Sequence, residues 1–335
     1  MDIDFYGFRE HPFLMTPSPR LFYASTVHRR AFAHLTFGLA QREGFVVVTG
    51  EVGAGKTTLI ERLCGELHQA GFRIARVSTT LLSGDDMLRM VAHAFGAQSE
   101  GSKAAVLQSL TTVLRNTTER HLLIVDEAQG LSVSALEELR MLSNVTLASQ
   151  PSLQTILVGQ PQLGRMMASP DLDQLRQRVL AGFHLPALDV QETHAYVMHR
   201  LRSVGWQEGR PHWDDEALDV VHHYAGGIPR RINRLCSRVL LAGSLEHAMR
   251  ITAAMVEETA LELEDDLAGP VGLRGESGAQ PLPRWTPRSR GGGLDDWQPE
   301  ASNDAEDLQD ARQMEPQRPS GWMSKLFHRK PRVAR

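Results

Sequence analysis

Residues Gly50 to Thr57 read GEVGAGKT and follow directly on the apolar run Phe45-Val46-Val47-Val48. A strand, a glycine-rich turn and the start of a helix, in that order, form the setting a phosphate-binding loop requires. Such a loop wraps backbone N–H groups around an anionic phosphate chain. Gly50, Gly53 and Gly55 permit the backbone angles and the close approach that a Cβ would block. The helix opening at Lys56 points the positive end of its dipole at the same phosphates. Lys56 supplies a point charge for the β- and γ-phosphates, and the Thr57 hydroxyl is placed to bind Mg²⁺. The nucleotide-binding candidates are therefore Gly50, Glu51, Val52, Gly53, Ala54, Gly55, Lys56, Thr57 and Thr58, with Asp126 from further along. The expected ligands are ATP and Mg²⁺.

Asp126 belongs to the second signal, His121-Leu-Leu-Ile-Val-Asp-Glu-Ala-Gln129. Four apolar residues form a buried strand and two carboxylates leave its C-terminal end, where open parallel sheets place their ligands. Asp126 would hold Mg²⁺ directly or through water, and Glu127 would polarise the attacking water. A third strand ends in Gly159-Gln160-Pro161. A polar residue there would sit between the acidic pair and the γ-phosphate, so Gln160 is a candidate sensor. In Leu175-Arg176-Gln177-Arg178-Val179 an arginine at a domain edge can reach the γ-phosphate of a neighbouring subunit. Arg178 is the first candidate and Arg176 the second. In Gly226-Gly-Ile-Pro-Arg-Arg-Ile-Asn233, Pro229 fixes the first helical turn. Arg230, with Arg231 as the alternative, could swing onto the γ-phosphate from a mobile lid.

The elements that must position these groups follow from periodicity. A strand at Phe45 is followed by a helix over Thr57 to Gln69 and a strand over Phe72 to Val77. Helices over Gly84 to Phe95 and Lys103 to Asn116, a strand over His121 to Val125, a helix over Ser134 to Asn144 and a strand over Leu153 to Val158 complete the alternation. This predicts an α/β fold, a parallel sheet with helices on both faces. After Leu188 only helical patterns continue, over Val190 to Val204, Asp214 to Tyr224, Ile228 to Ala242 and Ile251 to Glu264. The expected organisation is an aromatic leader with a first helix over 1–44, the nucleotide-binding domain over 45–188, a small all-helical lid over 189–264, and a disordered tail over 265–335. The leader holds Phe5, Tyr6, Phe8, Phe13, Phe22 and Tyr23 between prolines, too many rings for a disordered segment, so it should pack as a strap.

The net charge of −4 gives no global attraction to nucleic acid, which is not expected as a partner. Cys64 and Cys236 lack metal-ligand spacing and read as buried free thiols in a reducing cytosol. No run approaches the ~18–20 apolar residues of a membrane span, which predicts a cytoplasmic body. The tail turns acidic near Asp295 to Asp310 and ends GWMSKLFHRKPRVAR. Trp322, Leu326 and Phe327 among basic residues could make peripheral contact with an anionic membrane or a partner, or form a solvated end.

In this order and spacing, GEVGAGKT, LLIVDEAQ, LVGQPQL, LRQRV and GGIPRRINRLC resemble the P-loop NTPases of the AAA+ class. The opening FYGFREHPFLMTPSPRLFYASTVHRRAFAHLTFGL resembles the leader of the ExeA/GspA general secretion pathway ATPases, and the similarity spans roughly residues 4 to 264. Within that group the chain looks most like ATPases linked to exosortase and exopolysaccharide gene clusters. The resemblance implies ATP hydrolysis with Lys56 and Thr57 in the nucleotide loop, Asp126 and Glu127 as the acidic motif, Gln160 as first sensor, Arg178 as arginine finger and Arg230 as second sensor. It implies a homo-oligomer that powers or gates assembly of an envelope secretion or exopolysaccharide export system. ExeA-like proteins commonly continue into a transmembrane helix and a peptidoglycan-binding domain. Neither is legible here, which favours a cytosolic motor or switch. A DNA-associated AAA+ ATPase of the transposition-regulator or origin-recognition type is the alternative.

Overall fold

The computed structural model describes residues 3–16, 19–42, 44–78, 83–117, 119–147, 150–151, 153–268 and 284–285. The chain divides into two units, Met1–Leu282 and Pro283–Arg335. Only Arg284 and Trp285 of the second are described, so the acidic and basic-aromatic stretches of the tail lie outside the described residues.

Five strands form one parallel sheet: β1 (Phe45–Gly50), β2 (Phe72–Ser78), β3 (Arg120–Asp126), β4 (Leu153–Gly159) and β5 (Val179–Leu185), in the order β2-β3-β4-β1-β5. Their apolar runs are nearly continuous because both faces are covered. On one face Phe45, Val47, Val77, Leu123, Val125 and Leu157 share a core with helices α3 (Gly84–Ala94), α4 (Lys103–Arg115), α5 (Val133–Leu142) and α6 (Pro161–Met167). On the other face Val46, Val48, Leu122, Ile124, Ile156 and Val158 are equally buried, and α1 (Thr26–Ala40) and α2 (Lys56–Gln69) pack there. Gly38 of α1 lets that helix lie close, since a Cβ on it would come within 2.7 Å of Val46.

β5 is an addition to the four strands read from the sequence. Its residues VLAGFHL are mostly half-buried, with only Leu185 fully covered, and they pair with β1 alone. An edge strand containing Ala181 and Gly182 carries little β propensity and no clean alternation. Helix starts, by contrast, follow local chemistry. The side chains of Ser25, Ser83, Ser102, Ser132 and Asp189 each accept a backbone N–H from the first turn of the following helix.

Helices α7 (Val190–Ser203), α8 (Asp215–Ala225), α9 (Pro229–Leu245) and α10 (Ala253–Ala268) form the lid, and a two-residue ladder joins His212–Trp213 to Arg250–Ile251. α10 runs four residues past the expected end at Glu264, where Asp266 pairs with Arg238 at 2.8 Å. Gly226 ends α8 in the left-handed region at φ 59°. A Cβ on Gly227 would collide with Leu188 O, while the Leu188 N–H donates to Gly227 O at 2.9 Å. Both cysteines are free and buried, and burial pushes the Cys236 thiol well up. Among the described residues no helix is long and apolar enough to cross a membrane.

Candidate active site

Parallel registration brings the informative residues to one edge of the sheet. Gly50 is paired with Leu185, Thr49 with Gly159, and Ser78 with Asp126. β4 lies between β1 and β3. Gln160, the first residue past β4, therefore stands between the glycine-rich loop and the acidic pair.

Gly53 and Gly55 adopt φ angles of 86° and 100°, in the region L side chains avoid. Space forbids side chains there too. A Cβ on Gly53 would lie 2.4 Å from the Arg230 Cβ, and one on Gly55 would lie 2.9 Å from the His28 Nε2. Lys56 is buried and donates from Nζ to Gly50 O at 2.7 Å and Glu51 O at 3.0 Å. Burial holds this ammonium below the ordinary lysine range, against the opposing pull of Glu127, Asp126 and Glu51. Thr57 is exposed and, with Thr58, lines the adjoining cleft.

At the end of β3, the Asp126 carboxylate accepts from the Glu127 N–H at 2.9 Å. Glu127 has φ 53°, uncommon for a residue with a Cβ, which turns its side chain back over the sheet edge. Its Oε2 accepts from Gln129 Nε2 at 2.6 Å and from Gln160 Nε2 at 3.2 Å. Gln129 completes a bracket by accepting the Gln160 N–H at 2.9 Å. The bond from Gln129 is the largest influence holding the Glu127 carboxyl below its ordinary range, with Gln160, Lys56 and Arg230 adding to it. Two amides and two cations thus keep an exposed carboxylate ionised and aimed.

The lid closes the other side. The Arg230 N–H donates to Gly53 O at 3.2 Å, so α9 begins against the glycine-rich loop. Pro229, Arg230 and Asn233 line the same cleft, about 260 Å³ in volume, as Lys56, Thr57 and Glu127. The leader forms its third wall with Leu14, Met15, Thr16, Leu21, Phe22 and Tyr23. Buried Arg200 of α7 secures this strap, donating to Pro12 O at 2.7 Å and Leu14 O at 3.0 Å.

The other two arginines lie elsewhere. Arg178 O accepts the Phe45 N–H at 2.9 Å, at the sheet edge opposite the glycine-rich loop. Its guanidinium is half-buried and donates to Ser143 Oγ at 2.9 Å. Arg176 is more exposed and pairs with Asp173 at 2.7 Å. Arg231 turns away from the cleft and lines a separate groove of the lid with Arg234, Leu235 and Leu263. Residues not foreseen at the cleft are Gln129, His28, Arg200 and Asn233. The glutamine closes the acidic motif, and its spacing two residues after Glu127 is the one signal that pointed to it.

A family model described as an AAA domain matches residues 39–167. The chain is 37% identical over 270 residues to the general secretion pathway protein A of Aeromonas hydrophila, covering 78% of this chain and 48% of that protein. The chain thus spans about half the length of the curated relative it matches. Among solved structures it is similar to Cdc6p from Pyrobaculum aerophilum, with TM-score 0.59, 16% identity and coverage of 81% of this chain and 74% of that one. It is also similar to the Aeropyrum pernix ORC2 protein in its ADPNP and ADP complexes, with TM-score 0.55, 17% identity and coverage of 72% and 68%. For the Thermotoga maritima RuvB Holliday junction branch migration motor the values are TM-score 0.50, 23% identity, 76% and 74%. At these identities the structural likenesses establish the fold.

Proposed function

Because the chain belongs to the ExeA/GspA family of AAA+ ATPases, we propose that its cleft binds ATP with Mg²⁺ and hydrolyses it, Glu127 drawing the proton from the attacking water. The observation that carries this reading is the environment of one carboxylate. Glu127 is bonded to Gln129 and Gln160 and lies within electrostatic reach of both Lys56 and Arg230. Four motifs distant in sequence thereby converge on one carboxylate.

The backbone of Gly50 to Thr58 cradles the phosphates, and Lys56 exchanges its loop carbonyls for phosphate oxygens. The Thr57 hydroxyl and the Asp126 carboxylate are hard oxygen donors that suit Mg²⁺, which neutralises phosphate charge when bound. Gln160 orients the water through the carboxylate it shares with Gln129. Arg230, at the start of α9, reports nucleotide to the lid. Arg178, with Arg176 as the more exposed second choice, acts on the cleft of a neighbouring copy in a homo-oligomer. β1 separates it from its own cleft by roughly 17 Å, the length of six strand residues.

The cellular role we propose is to power or gate assembly of an envelope secretion or exopolysaccharide export system from the cytoplasmic side of the membrane, with peripheral contact through the tail. Similarity to a general secretion pathway protein supports it. The test combines hydrolysis with partner capture. Lys56→Ala should abolish tight ATP binding, whereas Glu127→Gln should bind ATP, fail to hydrolyse it and accumulate on its envelope partners. Glu127→Gln turning over at the wild-type rate would remove Glu127 from the mechanism. Salt-sensitive binding to duplex DNA without such partners would replace the secretion reading with the DNA-associated one.

A further inference from the structure

We infer that His28 is an additional ligand of the nucleotide, donating its Nε2–H to a phosphoryl oxygen held in the glycine-rich loop. The inference rests on the ATP reading of the cleft. His28 sits in the first turn of α1, is 7% exposed and lines the cleft beside Gly55 and Lys56. Its Nε2 would lie 2.9 Å from a Cβ placed on Gly55. That atom therefore abuts the loop residue whose left-handed backbone opens α2 toward the phosphates.

Which ring nitrogen carries the proton follows from Ser25. Its hydroxyl is buried, 1% exposed, and serves as the N-cap of α1 by accepting the His28 backbone N–H at 3.2 Å. The hydroxyl proton needs an acceptor of its own, because leaving it unsatisfied in a buried position is costly. Among the described residues the acceptor within reach is His28 Nδ1, at 2.8 Å. Ser25 therefore donates to Nδ1, and the neutral ring carries its proton on Nε2. Phe22 stands edge-on to the ring at a centroid distance of 5.4 Å and fixes its plane.

Nε2–H meets no protein acceptor among the described residues. Burial alone pulls the imidazole down to about 4, so at neutral pH the ring is an uncharged donor. An oriented, partly desolvated N–H beside a phosphate cradle matches an anionic phosphoryl oxygen better than a neutral ring nitrogen of the base. A neutral donor facing a charged acceptor contributes enough to change affinity about 10- to 100-fold.

The experiment is calorimetric titration of the full chain with ATP, ADP and adenosine. His28→Phe keeps an aromatic ring, its burial and its contact with Phe22 but removes the Nε2 donor and, with Nδ1, the acceptor of the Ser25 hydroxyl. ATP and ADP should bind about 10- to 100-fold more weakly while adenosine affinity stays unchanged. His28→Gln, whose amide can present an N–H at the same reach, should recover part of the loss. Unchanged ADP affinity in His28→Phe, or an equal loss for adenosine, would overturn the assignment. Histidine ¹⁵N spectra of the wild type give a readout independent of any variant's folding. They should show Nε2–H protonation with a shift of that proton on adding ADP, and Nδ1–H protonation would refute it. A wild type that binds neither ATP nor ADP would instead overturn the ATP reading. Normal binding lost in Lys56→Ala but kept in His28→Phe would overturn His28 alone.

Discussion

Gln129 offers the sharpest test of how the carboxylate is prepared. Gln129→Leu keeps the size of the side chain and removes two bonds at once. One is the 2.6 Å donation to Glu127 Oε2, and the other is the acceptance of the Gln160 N–H at 2.9 Å. A bond to a charged group is worth ~1.5–3 kcal/mol when shielded, but Glu127 is exposed, so about 1 kcal/mol is the appropriate size. If that orientation is realised in the transition state, the rate of hydrolysis falls about five-fold. The pH profile carries a second, independent signature. The Gln129 bond is the leading influence lowering the Glu127 carboxyl, so its loss raises that pKa. A general base works only when deprotonated, so the acid limb of kcat must move to higher pH, with KM for ATP little changed. Steady-state phosphate release across a pH series reads both effects. Gly159→Ala should reproduce them, because its Cβ would press within 2.7 Å of the Gln129 Oε1. A variant with the wild-type rate and an unmoved acid limb would show that Gln129 does not prepare Glu127.

Gly53→Ala should abolish nucleotide binding by calorimetry, since the new Cβ meets Arg230 at 2.4 Å in a backbone held at φ 86°; retained affinity would mean that loop and lid can part freely. Mixing Arg178→Ala with Lys56→Ala should restore some ATPase activity, because one copy supplies the finger and the other the intact loop. Failure of co-assembled mixtures, with success when Arg176→Ala replaces Arg178→Ala, would transfer the role to Arg176. Arg200→Met should lower the melting temperature by roughly 10 °C, from about 3 kcal/mol of lost bonding to the leader at ~2–4 °C per kcal/mol. A shift within 1 °C would show that the strap is held by other means.

Much of the fold was legible because it depends on patterns that local chemistry enforces. Val46 to Val48 and Leu122 to Val125 read as strands since both faces of the sheet are covered. The loop read as a loop because its glycines leave few backbone alternatives. β5 was not legible, because an edge strand with one buried residue leaves no periodic trace. Of the candidate site, the grouping of Lys56, Asp126, Glu127 and Gln160 at one sheet edge was legible, because there motif and topology coincide. Gln129, His28 and Arg200 were not. Their significance lies in contacts with residues near in space, and only Gln129, two residues after Glu127, has a sequence neighbour that hints at it. The choice between Arg230 and Arg231 shows the same limit. Adjacent residues on a helix point about 100° apart, so only the docking of α9 decides which one faces the cleft.

The leader has a consequence for how nucleotide and lid are coupled. Its bonds run to the lid: the Arg9 N–H to Val204 O at 2.9 Å, Arg200 to Pro12 and Leu14, and Tyr6 to Ala248 O at 3.2 Å. Its side chains nevertheless wall the cleft above the loop of the sheet domain. Phe22 of the leader also meets the sheet domain, with the Arg62 guanidinium over its ring at 5.2 Å and His28 edge-on at 5.4 Å, so the strap bridges the lid and the sheet domain. Displacement of α9 from Gly53 would move Arg230 and pull on the leader wall through its bonds to the lid. Two contacts that look independent in sequence, some 200 residues apart, are therefore mechanically linked. Loosening the strap should also loosen the contact between the Arg230 N–H and Gly53 O that holds α9 against the loop.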